Sequence, residues 1–274
     1  MKLGVLAASG AVLVAGGVLL ALLGLDTPLL LALHRRAPGT LQVYLWSCVT
    51  LVGMGWCALI LVLAADRGDG RLAALLAFTF LIGTLLTHLP KSLLHIPRPA
   101  GTALASQLHV IGDAFRGAVA MPSGHALTAV ATAVLLWRGL GPRRSPASAL
   151  LLAAAATLVA VSRVVVGAHW PSDVLVGAGL GLWAVVLALW LADRAPRRFE
   201  AFARTLRSPR GQLGIALVEI AAAVGLASDR TGYPAGQPIV ALMAIVAVAS
   251  AACRMRDLLA SRAARRAVST VESP

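Results

Sequence analysis

Long apolar runs separated by short polar punctuation make up most of this chain. A run of roughly 17 to 25 apolar residues can cross the hydrocarbon core of a bilayer as a helix. The pattern predicts such helices at 3–25, 41–64, 72–89, 125–138, 149–167, 174–192, 213–228 and 236–253. The expected fold is therefore all-α, a polytopic transmembrane helix bundle of about eight spans. The first run, preceded by Lys2, is longer than a usual signal-peptide core and reads as an anchor that stays. The fourth is short and is expected to extend past Trp137. Glu219 interrupts the seventh, either as a buried polar partner or as a sign that 213–228 is not a true span.

Composition agrees with a membrane protein. Hydrophobic residues are 59% of the 274, charged residues only 13%, and mean hydropathy is +0.84. A soluble domain carries about 25% charge. The net charge of +13 raises the question of nucleic acid. The arginines, however, fall between apolar runs and in the tail, where orientation signals lie, and no room is left for a soluble basic face. With the N-terminus inside, 17 of the 24 Lys and Arg lie on the inner side and seven on the outer: Arg35, Arg36, Lys91, Arg98, Arg116, Arg163 and Arg230. This bias places "SRVVVGAHWPSD" at the outer face, and the expected location is the cell inner (plasma) membrane, multi-pass. Cys48, Cys57 and Cys253 all lie in apolar runs and read as small buried hydrophobes, not as a disulfide or metal framework.

The only plausible boundary is 193–212, "DRAPRRFEAFARTLRSPRGQ", read as a basic cytoplasmic loop with an amphipathic stretch lying on anionic lipid. It separates a six-helix unit, 1–192, from an extra helix pair, 213–253, with a basic cytoplasmic tail at 254–274.

Three polar clusters fall on the outer side, where charge near lipid is costly and needs a reason. In "KSLLHIPRP" (91–99), Lys91 and Arg98 stand seven residues apart, and Pro97 should turn Arg98 back over the helix end. Two cations without a carboxylate repel unless an anion sits between them, and Arg forks a phosphate in a bidentate way. Interfacial snorkelling is the plainer alternative. In "PSGH" (122–125), Ser123 reads as an N-cap. Gly124 would let an anion approach the free N–H groups, with His125 beside it. In "SRVVVGAHWPSD" (162–173), Arg163 ends one helix and His169 lies in the turn before the next. Asp173, four residues on, can take a proton from one imidazole nitrogen and leave the other nucleophilic. A structural His–Asp cap would look the same. Together the clusters supply charge clamps, a nucleophile and an acid, the inventory for cutting a phosphate ester.

The order Lys-x6-Arg-Pro, Pro-Ser-Gly-His, Ser-Arg-x5-His-x3-Asp resembles the type 2 phosphatidic acid phosphatase (PAP2) superfamily, over roughly residues 40–192. The resemblance implies a six-helix core with its site at the extracytoplasmic face. It implies that His169 attacks phosphorus and forms a phosphohistidine, that Asp173 orients it, and that His125 protonates the departing oxygen. Lys91, Arg98, Arg163, Ser123 and Gly124 would hold the phosphoryl oxygens. Neither cofactor nor metal is implied.

The expected function is thus a metal-independent membrane lipid phosphatase. Its substrate would be a lipid phosphate or diphosphate: a polyprenyl diphosphate, phosphatidic acid, phosphatidylglycerol phosphate or a lipid A phosphate. The alternatives are a lipid phosphotransferase using the same intermediate, a non-catalytic anion-binding membrane protein or transporter, and a metal-dependent hydrolase. The motifs read the phosphate and leave the lipid and the oligomeric state open.

Overall fold

The computed structural model describes residues 2–66, 68–115, 117 and 119–271, with side-chain surroundings described up to Ser261. Arg67 and Arg116, both counted above for sidedness, lie outside the described residues, as do residues 272–274 of the predicted tail and the side chains of Arg262, Arg265 and Arg266. Every predicted span is helical. They are α1 (Leu3–Leu22), α3 (Thr40–Val52) with α4 (Gly55–Ala65), α5 (Arg71–Leu94), α6 (Gly124–Gly139), α7 (Pro146–Val165), α8 (Pro171–Arg194), α10 (Pro209–Ser228) and α11 (Gln237–Val271). Two shorter helices join them: α2 (Asp26–Leu33) and the amphipathic α9 (Pro196–Arg207). Among the described residues there is no strand.

Six of these helices, α1, α5, α7, α8, α10 and α11, are long and apolar enough to cross a membrane. The predicted 41–64 span is instead two helices bent by 65°, which pass the same test only together and make a seventh. The eighth candidate, α6, has 16 residues and is about 24 Å long. Its N-cap, Ser123, is fully buried, so the helix starts inside the bundle and not at its rim. α11 continues as helix into the predicted tail, as far as Val271. Cys253, expected to be buried, is exposed on it.

Helix α8 is the centre of the bundle, packed on α1, α5 and α6. Small residues let backbones meet where dispersion, not water, drives association. A Cβ on Gly181 would sit 2.5 Å from the Leu127 carbonyl oxygen, and one on Gly177 would collide with Ser123 backbone. On the α1 side, a Cβ at Gly10 would lie 2.6 Å from the Trp183 ring. The α8 glycines thus bring the start of α6 against the start of α8, and the Ser123 N–H donates to the Asp173 carbonyl at 2.9 Å.

The antiparallel order puts the C-terminal ends of α5 and α7 beside the N-terminal ends of α6 and α8. The far end carries Arg138 of α6, Arg194 of α8 and the basic face of α9. Phe199 and Ala203 of α9 are buried, while Arg197, Arg198 and Arg204 are exposed. α10 and α11 pack on each other and on α4, outside the α5–α8 group.

Candidate active site

Each of the three polar clusters ends at the same place. α5 stops at Leu94, His95 adopts a left-handed φ of 47°, and the chain turns back so that Arg98 N–H donates to the Gly117 carbonyl at 3.0 Å. Proline at 97 cannot continue the helix, which explains the reversal expected from sequence. Arg98 Nη1 then donates 3.1 Å to the carbonyl of Ala168, the residue before His169.

His169 sits in the turn between α7 and α8, 2% exposed. Its Nδ1 lies 3.2 Å from Asp173 Oδ2. With Asp173 ionised its carboxylate only accepts, which puts the proton on Nδ1 and leaves the Nε2 lone pair for other chemistry. The same Oδ2 accepts the Trp170 N–H at 2.9 Å. Asp173 is therefore both the cap of α8 and the partner of the histidine. The sequence offered these as alternatives, and one side chain serves both. Burial first, then the positive charges of Arg163, Arg98 and Lys91 and the neighbouring His125, hold the His169 pKa well below its ordinary value. Hydrogen bonds tie the clusters together: the His169 N–H donates to the Arg163 carbonyl at 3.1 Å, the Ser123 N–H to the Asp173 carbonyl at 2.9 Å, and Arg98 to Ala168.

Arg163 is 2% exposed, and no carboxylate lies within ion-pair distance of it among the described residues. Its Nη1 donates to Thr50 Oγ1 at 2.5 Å and to the Tyr233 hydroxyl at 3.0 Å. Its Nε is buried without a partner. Ser123 caps α6 by position only. Its Oγ, fully buried, makes no hydrogen bond, whereas Ser145 and Ser208 cap α7 and α10 with bonds of 3.1 Å each. An unsatisfied buried hydroxyl is costly, and here it stands at a helix N-terminus where an anion would satisfy it.

His125, in the first turn of α6, packs where α3 breaks into α4. A Cβ on Gly53 would be 3.0 Å from the His125 Cβ. A cavity of ≈360 Å³ between α4, α5 and α6 reaches Gly124 and His125; Phe80, Leu76 and Leu127 line it.

Sequence reasoning did not single out four contributors. Thr50 and Tyr233 hold Arg163. Phe115 lies under the Arg98 guanidinium, 5.3 Å from ring centroid to Cζ. Asp26 of α2 accepts from Ser172 N and Oγ at 2.8 and 2.6 Å, steadying the start of α8. Only Asp26, an acid at the edge of an apolar run, carried a signal that could have been found by inspection. Glu219 is resolved as a buried polar partner: it is fully buried and takes a 2.6 Å bond from Ser250.

The assembled groups are three cations, one committed carboxylate, a neutral histidine with an oriented ring, a second histidine, and unsatisfied donors at a helix N-terminus. Such a set can bind a phosphoryl group, attack it and protonate a leaving oxygen.

Residues 72–197 match the family described as the PAP2 superfamily. Phosphatidylglycerophosphatase B of Escherichia coli (strain K12) is 45% identical over 76 residues, which is 27% of this chain and 30% of that relative. Lipid A 1-phosphatase of Porphyromonas gingivalis is 40% identical over 72 residues, 26% of this chain and 16% of its own length. The matched stretches thus span under a third of either relative. The crystal structure of LpxE from Aquifex aeolicus superposes with a TM-score of 0.51 at 23% identity, covering 61% of this chain and 95% of its own. That last likeness is one of fold.

Proposed function

Since the chain carries a PAP2 superfamily domain at residues 72–197, we propose that it is a membrane lipid phosphatase working through a phosphohistidine without a metal. The observation that carries this reading is a His169 oriented by Asp173, in a turn bonded by both Arg163 and Arg98, neither of which is in an ion pair among the described residues.

In the proposed reaction the cations and the Ser123–Gly124 turn grip the phosphoryl oxygens. His169 Nε2 attacks phosphorus as the bond to the lipid oxygen breaks. His125 gives that oxygen its proton, and the lipid alcohol, or lipid monophosphate from a diphosphate, departs. Asp173 stabilises the positive ring that results. His125, now the base, takes a proton from water, which attacks the phosphohistidine and releases inorganic phosphate. Binding is strongest as charge builds on the phosphoryl oxygens, which is what lowers a barrier.

The relatives' names support a lipid phosphate as the substrate class, and the apolar cavity reaching His125 suits a lipid chain. The far end of the bundle, with Arg138, Arg194 and the exposed arginines of α9, is the more basic. By the positive-inside rule that end faces the cytoplasm, and the site faces the extracytoplasmic side of the inner membrane.

The test is phosphate release by the purified protein in detergent from phosphatidic acid, phosphatidylglycerol phosphate, a polyprenyl diphosphate and a lipid A phosphate. The assay is run with and without chelator. Release from at least one, unaffected by chelator and absent in His169→Ala, is expected. Silence on all four, or full activity in His169→Ala, would overturn the proposal. Loss of activity with chelator would overturn its metal independence, and release only when an acceptor lipid is added would make it a transferase.

A further inference from the structure

The helix pair α10–α11 lies beyond residues 72–197 and packs chiefly on α4. Its connecting turn, 229–236, nevertheless reaches the site end of the bundle. Two turns interlock there. The Asp113 N–H donates to the Gly232 carbonyl at 2.8 Å. Gly112 and Gly232 have φ of +77° and +75°, and a Cβ on Gly112 would meet the Tyr233 ring at 2.7 Å. Only glycine combines that backbone with that proximity. The result is a Tyr233 that is 3% exposed, although it belongs to a turn rich in small polar residues.

Tyr233 is in contact with the phosphate clamp. Its hydroxyl accepts from Arg163 Nη1 at 3.0 Å, and the Arg163 guanidinium lies 5.7 Å from its ring centroid. The Phe115 ring is 6.2 Å away and carries the Arg98 guanidinium on its other contact. Arg163, Tyr233, Phe115 and Arg98 thus form a chain in which a pair of rings stands between two cations. Two guanidinium groups and Lys91, none of them in an ion pair among the described residues, repel. Ring quadrupoles and neutral hydroxyl acceptors can hold such cations without cancelling the charge that a phosphate needs.

The geometry also selects an edge of the guanidinium. Both hydroxyls, Thr50 and Tyr233, accept from Nη1, and Nε is left without a partner. Arginine forks an oxyanion with two parallel N–H groups, and the edge carrying Nε is the one that no protein acceptor occupies.

We propose that Tyr233 is a positioning residue that holds Arg163 with its Nε edge toward the phosphoryl group, so that the C-terminal helix pair is part of the phosphate clamp. The inference rests on the reading of this site as a phosphate clamp.

The test uses the full-length protein in detergent with two probes, dioleoyl phosphatidic acid for turnover and orthovanadate for binding. Tyr233→Phe keeps the ring and removes only the acceptor. Its melting temperature should stay at the wild-type value, while kcat/KM and vanadate affinity each fall about tenfold, the worth of one charged hydrogen bond. In an Arg163→Lys background, where no guanidinium remains to be aimed, Tyr233→Phe should change neither quantity further. Wild-type behaviour of Tyr233→Phe, or a loss that persists undiminished in the Arg163→Lys background, overturns the inference. The wider reading fails separately, if the wild type neither turns over phosphatidic acid nor binds vanadate, or if Arg163→Lys and His169→Ala are as active as wild type.

Discussion

Two arginines are buried among the described residues, Arg163 at one end of the bundle and Arg254 at the other, and their surroundings differ in kind. Arg254 of α11, 8% exposed, has its Nε 3.4 Å from Glu219 Oε2. Its Nη1 donates to Gln212 at 2.5 Å, and its Nη2 to the carbonyls of Leu63 and Asp66. Its charge is met by an acid and its Nη donors by acceptors, although its Nε makes no hydrogen bond. Arg163 has two neutral hydroxyls and, among the described residues, no carboxylate within ion-pair distance. A buried charge is tolerable when paired. Arg254 is paired within the protein and ties α10, α11 and α4 together. Arg163 is hydrogen-bonded but not ion-paired, and in the proposed function the missing member is an anion from outside. The lesson is that burial alone does not mark a functional arginine; the missing counter-charge does.

The comparison can be broken in several ways. The largest effect is expected for His169→Ala, a loss of roughly ten-thousandfold in turnover with the fold intact, since removal of a nucleophile leaves only binding and electrostatics. Phosphate release in the variant, checked against circular dichroism, measures it. Next, Arg163→Ala should lower kcat/KM by about 10²- to 10³-fold, the usual cost of one donor to a developing oxyanion. Arg254→Ala should do the reverse: unfolding becomes easier by about 3–5 kcal/mol, because Glu219 is left charged and buried, while turnover per folded molecule is unchanged. If Arg254→Ala loses turnover without losing stability, the two arginines are not different in kind. Glu219→Gln should have a milder form of the same effect, about 1–3 kcal/mol, read from a denaturation midpoint. The smallest effect concerns pH. With its pKa held below the ordinary value, the His169 ring should stay neutral in ¹⁵N spectra as pH falls through 6.5. The stability that the neutral buried ring contributes is present above that value and is lost below it, so the melting temperature should drop on acidification, less steeply in His169→Ala.

Much of this was readable in the chain, for local reasons. The span pattern survives because apolar run length maps directly to a helix in lipid. The His169–Asp173 pair survives because four residues across a helix start is a fixed distance. Local spacing could not show that Ser123 would leave its hydroxyl idle, since that depends on what a second helix presents. The bend between α3 and α4 was hidden because Gly53 and Met54 do not interrupt the apolar run. It becomes intelligible only with His125 packed against it.

The amino-acid order by itself determined an all-helical membrane bundle and three cation- and histidine-bearing clusters on one side of it, because hydropathy and short-range spacing are properties of neighbours in the chain. Tertiary structure alone decided which charges would be cancelled. Arg163 meets Thr50 and Tyr233 across 113 and 70 residues, and Arg254 meets Glu219 across a helix pair. Those meetings depend on glycine-lined contacts between helices, which no spacing along one segment encodes.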